Sequence, residues 1–255
     1  MRQPLFAANW KMFKTPAQTR DYANAFVPLA ERFRERAAVV LCAPFIDLVP
    51  LHEELLIAQT YVEIGAQDVF WENEGAYTGE ISPAMLAGEG VDYCIVGHSE
   101  RRRMFGDTDE TVAKKVSALL AADIVPIVCV GETLEENRAG KTRARVAAQI
   151  AGGLGHLRDD QRAEVVIAYE PVWAIGTGLA DTPENAESTI AFIRSTAGGL
   201  LDATIVYGGS MKADSAQALC AQPDIDGGLI GSASLDPASF AELVENGLRG
   251  IDARI

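Results

Sequence analysis

The chain has 255 residues, 48% of them hydrophobic and 23% charged, and carries a formal net charge of −14. That composition supports a large buried core and excludes a disordered chain. The acidic excess argues against nucleic acid or an anionic membrane surface as a partner, so any anionic ligand must be held by local positive potential.

Met1-Arg2-Gln3-Pro4 leads straight into an apolar strand, Leu5-Phe6-Ala7-Ala8, with no extended apolar run or small-residue cleavage site, so no secretory leader is expected. Tyr22, Phe26, Leu29 and Phe33 recur at helical spacing behind Thr15-Pro16, which supply a cap and a first helical residue. Pro28 lies inside that pattern and should kink or shorten the helix. Ala38–Cys42 reads as a second strand, Asp47–Ala58 as a helix and Val62–Ala66 as a third strand. The stretch Gln67–Glu80 follows, with Trp71, Tyr77 and several acidic residues but no clear period. A loop this long in a compact protein is usually functional.

Ser82-Pro83 opens a short helix, Tyr93–Val96 is a fourth strand, and Val112, Val116, Leu119 and Leu120 mark the next helix. Val125–Val130 is a fifth strand, followed by a helix through Val146 and Ile150. Val165–Tyr169 is apolar and β-branched, as a strand buried on both faces should be. Thr182-Pro183 caps a helix through Ile190, Phe192 and Ile193; Ile205–Tyr207 is a seventh strand. A helix over Asp214–Ala221, an eighth strand at Gly228–Ile230 and a last helix opened by Asp236-Pro237 complete the chain.

Eight rounds of strand then helix imply a parallel sheet with right-handed crossovers. Eight units in this length predict an α/β fold, a single (β/α)8 barrel domain over residues 1–255. The alternative, an open doubly wound sheet, lacks its Gly-x-Gly-x-x-Gly fingerprint. No run approaches transmembrane length. Cys42, Cys94, Cys129 and Cys220 are widely spaced and read as buried thiols in a reducing compartment, so a cytoplasmic location is expected. His52, His98 and His156 are scattered, no Cys/His spacing fits a metal, and no acidic loop pattern fits a cation, so neither metal nor cofactor is expected.

Chemistry in such barrels sits at the C-terminal strand ends. The first strand ends in Asn9-Trp10-Lys11, the fourth in Gly97-His98-Ser99-Glu100-Arg101-Arg102, and the sixth in Glu170. The seventh ends in Tyr207-Gly208-Gly209-Ser210 and the eighth in Gly231-Ser232-Ala233-Ser234. Singly, each has an ordinary reading: a solvated lysine, a core histidine, a Gly-Gly-Ser turn. Gathered at one mouth, a cation, an imidazole, a carboxylate and two Gly-Ser nests are the parts of proton transfer on an anionic substrate. After Glu170, Pro171 stops the strand, and Val172-Trp173-Ala174-Ile175-Gly176-Thr177-Gly178 is an apolar segment able to bend, so Glu170 looks like a base under a lid.

These strand-end motifs resemble those of the triosephosphate isomerase family, over essentially the whole chain and in order, including Gly79-Glu80-Ile81-Ser82-Pro83. The resemblance implies a cofactor-independent isomerase of glycolysis and gluconeogenesis, interconverting dihydroxyacetone phosphate and D-glyceraldehyde 3-phosphate through an enediolate. It implies Glu170 as base, neutral His98 as electrophile, and Lys11 and Asn9 as polar partners, with Ser99, Glu100 and Tyr207 in support. Burial under the lid should raise the proton affinity of Glu170. The substrate phosphate would lie on backbone N–H groups of Gly176, Ser210, Gly231 and Ser232. Ser232 departs from a family that commonly has a second glycine there, a strain if the position needs φ > 0. The lid would be 171–181, hinged at Pro171-Val172-Trp173 and Leu179-Ala180-Asp181, with Tyr207 and Ser210 holding its closed tip. The loop 67–80 resembles the family's dimer loop, with Thr78 at the tip entering a partner near Asn9 and Lys11, which implies a homodimer. Glu80 and Arg101 resemble a structural ion pair, and Asp68 stands where the family often has Asn, a charge that would weaken the interface unless paired. Two other readings remain, a tetrulose-phosphate isomerase of the same family and a catalytically dead phosphosugar-binding scaffold. The last predicts loss of Lys11, His98 or Glu170, and all three are present.

Overall fold

Eight short strands, each with side chains buried on both faces, have one way to satisfy their edges without exposing them, which is to close. In the computed structural model, which describes residues 2–175 and 181–254, they do so in sequence order. The strands are β1 (Leu5–Asn9), β2 (Ala38–Ala43), β3 (Glu63–Ala66), β4 (Tyr93–Val96), β5 (Val125–Val130), β6 (Val166–Tyr169), β7 (Thr204–Tyr207) and β8 (Gly227–Ile230). Every neighbouring pair is parallel, and β8 closes on β1 with Leu5 opposite Gly227 and Ala8 opposite Ile230. The (β/α)8 barrel expected from the alternation is therefore the fold.

The two-residue period of a strand divides the core in two. Leu5, Ala7, Val40, Cys42, Ile95, Ile127, Cys129, Val166, Ala168, Val206 and Leu229 point inward and fill the barrel. The alternate residues, Phe6, Ala8, Leu41 and Ile167 among them, face outward and pack beneath the helices. At Gly65 a Cβ would fall 2.4 Å from the Cys42 sulfur, so β3 yields that inward position to its neighbour's thiol. All four cysteines are buried and free. Continuing the inward alternation past the last core residue brings Asn9 after Ala7 and Glu170 after Ala168. The period that packs the core thus also aims both residues into the mouth.

The helix signals act where the sequence places them. Thr15 caps the helix Pro16–Ala30, and Gln18 completes the capping box. Ser82, Thr182 and Asp236 each accept a backbone N–H three residues on, with proline at the first helical position. Pro28 does not break its helix, which runs on to Ala30 and then tightens into a 3₁₀ turn, Glu31–Phe33, so the expected effect takes the form of an early end. Two short helices, Leu134–Arg138 and Asp159–Ala163, carry no clear sequence period and were not expected. Within the loop 67–80, Phe70 stacks with Trp71 and Tyr77 at centroid distances of 4.1 and 4.5 Å, and Phe70 N donates to Ile81 O. Among the described residues, no helix is long and apolar enough to cross a membrane.

Candidate active site

Glu170 stands one residue beyond β6, its backbone N–H still bonded to Val130 O at 2.8 Å. Glycines on both neighbouring strands make this possible. A Cβ at Gly131 would lie 1.7 Å from Glu170 O, and one at Gly208 would lie 3.0 Å from Glu170 Cγ. The side chain is 2% exposed. Ser99 N donates to Glu170 Oε2 at 2.8 Å, and His98 Nε2 lies 2.9 Å from Oε1.

His98 is where β4 turns into the helix Ser99–Met104. Gly97 makes that turn at φ 67°, and the Arg102 guanidinium fastens it by donating to Gly97 O at 2.7 Å. The imidazole caps its own helix, because His98 Nδ1 accepts the Glu100 backbone N–H at 3.2 Å. A nitrogen that accepts an N–H carries no proton, so the ring's proton sits on Nε2, facing Glu170. Burial pulls the His98 pKa down and the Glu170 charge pushes it up, with a net rise above its ordinary value. The hydrogen bonds nevertheless favour the neutral ring, since an imidazolium would set N–H against N–H at Nδ1.

Glu170 departs from expectation. Burial raises its pKa, but His98, the Ser99 amide and Lys11 together outweigh burial and hold the carboxyl below its usual range. In this conformation the carboxylate is stabilised rather than primed. The sequence showed the burial but not the two donors waiting for the charge.

Lys11 is reached by a strained path. Its φ is 51°, a left-handed conformation costing a non-glycine residue about 1–2 kcal/mol. Asn9 Oδ1 accepts the Lys11 N–H at 3.0 Å, and Lys11 Nζ bonds Glu100 Oε1 at 2.6 Å. A Cβ at Gly231 would lie 3.5 Å from Lys11 Cε, so the lysine stem runs beside the top of β8. Asn9, Lys11, His98, Ser99, Glu100 and Glu170 thus form one connected polar network.

Ser210 and Ser232 are exposed at the tops of β7 and β8, and Ser232 opens a 3₁₀ turn, Ser232–Ser234, that follows Gly231. Ser232 is not among the left-handed non-glycine residues, so the strain feared from its Cβ does not arise. The Tyr207 ring is buried, and its hydroxyl has no hydrogen bond among the described residues.

Of the expected lid, Pro171, Val172, Trp173, Ala174 and Ile175 are described, with Val172–Ala174 forming a 3₁₀ turn. Gly176, Thr177 and Gly178 lie outside the described residues, as do positions 179 and 180. Glu132, which sequence reasoning missed, anchors the described start of this segment. This fully buried carboxylate accepts from Trp173 Nε1 at 2.7 Å, from the Tyr169 hydroxyl at 3.2 Å and from Asn137 Nδ2 at 3.0 Å. The signal was there: Gly131-Glu132 is itself a strand end, that of β5.

The expected Glu80–Arg101 ion pair is not formed within the chain. Arg101 Nε instead lies 2.8 Å from Asp68 Oδ2 as an ion pair and donates to Asp107 Oδ2 at 3.3 Å, and Glu80 is exposed. Lys115 Nζ completes the cluster, 2.7 Å from Asp68 and 3.1 Å from Asp107. The Asp68 charge is therefore paired by its own chain. No group of three or more His, Cys, Asp or Glu residues is placed to hold a metal among the described residues.

Comparison with known proteins agrees with this geometry. The family model described as triosephosphate isomerase matches residues 4–247. A protein of Solibacter usitatus named triosephosphate isomerase is 47% identical over 250 residues, 96% of this chain and 99% of its own. One of Moorella thermoacetica, with the same name, is 48% identical over 249 residues, 96% of this chain and 98% of its own. One of Geobacter metallireducens, again of that name, is 44% identical over 250 residues. With a carboxylate, a neutral imidazole and a lysine converging on the mouth of a closed barrel, and this identity along nearly the whole length, the chain belongs to the triosephosphate isomerase family.

Proposed function

We propose that Glu170, His98, Lys11 and Asn9 carry out the interconversion of dihydroxyacetone phosphate and D-glyceraldehyde 3-phosphate, by proton transfer through an enediolate. The observation that carries the assignment is the 2.9 Å approach of His98 Nε2 to the Glu170 carboxylate, a donor and a base at one point of the mouth. The substrate carbonyl oxygen takes the place of the carboxylate at His98 Nε2. Glu170 then leaves the Ser99 amide and reaches the C1 carbon. It removes a proton there as the carbonyl oxygen gathers charge, and His98 Nε2–H, Lys11 and Asn9 stabilise that oxygen. Glu170 returns the proton to C2; the hydroxyl proton on O1 passes to O2 through His98 Nε2, which gives its proton to O2 and takes the one from O1, and the aldehyde forms at C1. Losing His98 and Ser99 as partners removes what holds the Glu170 pKa down, while burial continues to raise it. The strong base expected from the sequence is in this reading a property of the occupied site.

The doubly charged phosphate is held by backbone N–H groups of Ser210, Gly231 and Ser232, with Gly176 from the lid 171–181. Closure excludes water from the enediolate, and Tyr207 and Ser210 hold the closed tip. The Tyr207 hydroxyl, buried with no hydrogen bond among the described residues, supports that role. Residues 1–255 act as one barrel domain, in the cytoplasm, where four buried free cysteines are at home. The loop 67–80 makes a homodimer, with Thr78 at its tip. Met12, 95% exposed, with Phe13, Phe45, Ile46, Tyr77 and Met85, leaves apolar surface beside these strand tops for the partner to cover. Sedimentation showing a fully active monomer at micromolar concentration would count against the dimer.

The test of the base is a coupled isomerase assay on Glu170→Gln. Removal of a general base should cost ~10²-fold or more in kcat. A variant within about tenfold of wild type assigns the proton transfer to another group.

A further inference from the structure

Lys11 faces an uncommon difficulty. A non-glycine residue in a left-handed turn stays there only when its surroundings over-determine it, and relaxation to an ordinary conformation would swing the side chain off its target. Met12, the next residue, is almost wholly exposed and gives the turn no packing. The Lys11 N–H is held by Asn9, which leaves its carbonyl to be fixed from elsewhere.

That carbonyl is met by Gln67. The Gln67 side-chain amide donates to Lys11 O at 3.0 Å and to Cys42 O, at the end of β2, also at 3.0 Å. Cys42 O in turn accepts the Trp10 N–H at 3.1 Å, so one amide group ties the turn to the strand it leaves and to the strand beside it. Gln67 itself stands on a firm base. It directly follows β3, and its neighbour Asp68 is bonded to Arg101 and Lys115.

We propose that Gln67 is a positioning residue for the isomerisation, which holds Lys11 in its left-handed turn so that the ammonium reaches Glu100 and the substrate. Gln67 touches neither Glu170 nor His98 and acts through Lys11 alone. The inference rests on the reading of Lys11 as the cation that meets the substrate. It adds that the first residue of the proposed dimer loop sets the geometry of this cation.

A double-mutant cycle tests it. Gln67→Leu keeps the bulk and removes both donors. It should lower kcat/KM by about 10–100-fold, the order seen when a catalytic group is misplaced by about 1 Å. In a Lys11→Met background the same change should alter kcat/KM by less than twofold, because the residue it positions is gone. A purely structural role would give the same loss in both backgrounds and would overturn the proposal, as would Gln67→Leu within twofold of wild type. The assay is run at two enzyme concentrations a hundredfold apart. A loss that vanishes at the higher one reports assembly and also overturns it. Lys11→Met with wild-type activity would instead sink the reading of Lys11. Should Gln67→Leu fail to fold, Gln67→Asn keeps the amide one methylene short of the carbonyls and should show the same Lys11-dependent loss.

Discussion

Gly208 sits between the sheet and the proposed base, and adding one methyl group there should separate catalysis from folding. Its Cβ would lie 3.0 Å from Glu170 Cγ and 3.2 Å from Tyr169 O. Both contacts are tight but not impossible, and the closer one is to a side chain that can turn away. Gly208 is not among the left-handed glycines, so the backbone itself admits alanine. Gly208→Ala should therefore fold, at an overpacking cost of about 1 kcal/mol. In a chain of this size that is a fall of about 2–4 °C in Tm. The displaced Glu170 side chain is another matter, since an error approaching 1 Å in a reacting group costs up to ~10²-fold. We expect kcat to fall about 10–100-fold with KM changed by less than about threefold, measured in a coupled assay beside a thermal melt. Gly131→Ala is the contrast. There the added atom would meet the Glu170 carbonyl at 1.7 Å, which no rotation relieves, and that variant should fail to fold. Gly208→Ala with wild-type kcat, or Gly131→Ala melting normally, would refute the idea that these two glycines make the room Glu170 occupies.

Glu63 points into the floor of the barrel, where burial and the charge of Asp92 push its carboxyl up to about 7. A raised carboxyl pKa means the folded state resists ionisation, so wild-type stability should fall as pH rises from about 4.5, the unfolded value, to about 7. Glu63→Gln should thus match wild type in Tm near pH 4 and exceed it at pH 8; an equal gap at both would refute the assignment. Asp68→Asn removes one of the two carboxylates holding Arg101 and Lys115, but Asp107 still pairs both cations. The cost should be about 1.5–3 kcal/mol, that of a charge-assisted hydrogen bond, rather than the ~3–5 kcal/mol of a stranded charge. Denaturant midpoints measure it, and an unchanged or raised midpoint would show that the neutral residue suits the site as well.

What the sequence made legible is what depends on short range. The apolar runs Val165–Tyr169 and Leu5–Ala8 read as strands, and the strand ends that follow them place Glu170 and Asn9 at the mouth. Caps at Thr15, Ser82, Thr182 and Asp236 are decided within four residues, and each acts as read. Partner choice across the fold was not legible. Arg101 could pair with either Glu80 or Asp68 by residue type, and the fold brings it to Asp68. Glu132 was passed over because its role lies in distant partners, Trp173 being 41 residues on. The lowered pKa of Glu170 was missed for the same reason. Burial is written in the run of apolar residues before it, but the Ser99 amide that offsets burial lies 71 residues away.

The partners of Glu170 bear directly on the proposed mechanism. A buried carboxylate needs partners or it will bind a proton and lose its charge. Ser99 N–H donates to Oε2, and His98 Nε2 lies 2.9 Å from Oε1, and both favour the ionised carboxylate. In the proposed mechanism the donor beside this carboxylate is also the one the substrate oxygen needs. The two uses exclude each other, because one Nε2–H serves one acceptor at a time. On the proposed mechanism, substrate that takes the His98 Nε2–H would raise the basicity of Glu170 by that act. The proposed exchange calls for a neutral imidazole. An imidazolium would hold the carboxylate as a buried ion pair, and releasing it would strand two charges instead of breaking one hydrogen bond. The Glu100 amide aimed at Nδ1 opposes that outcome. A single backbone N–H at a helix start thus bears on whether the base can be freed at all.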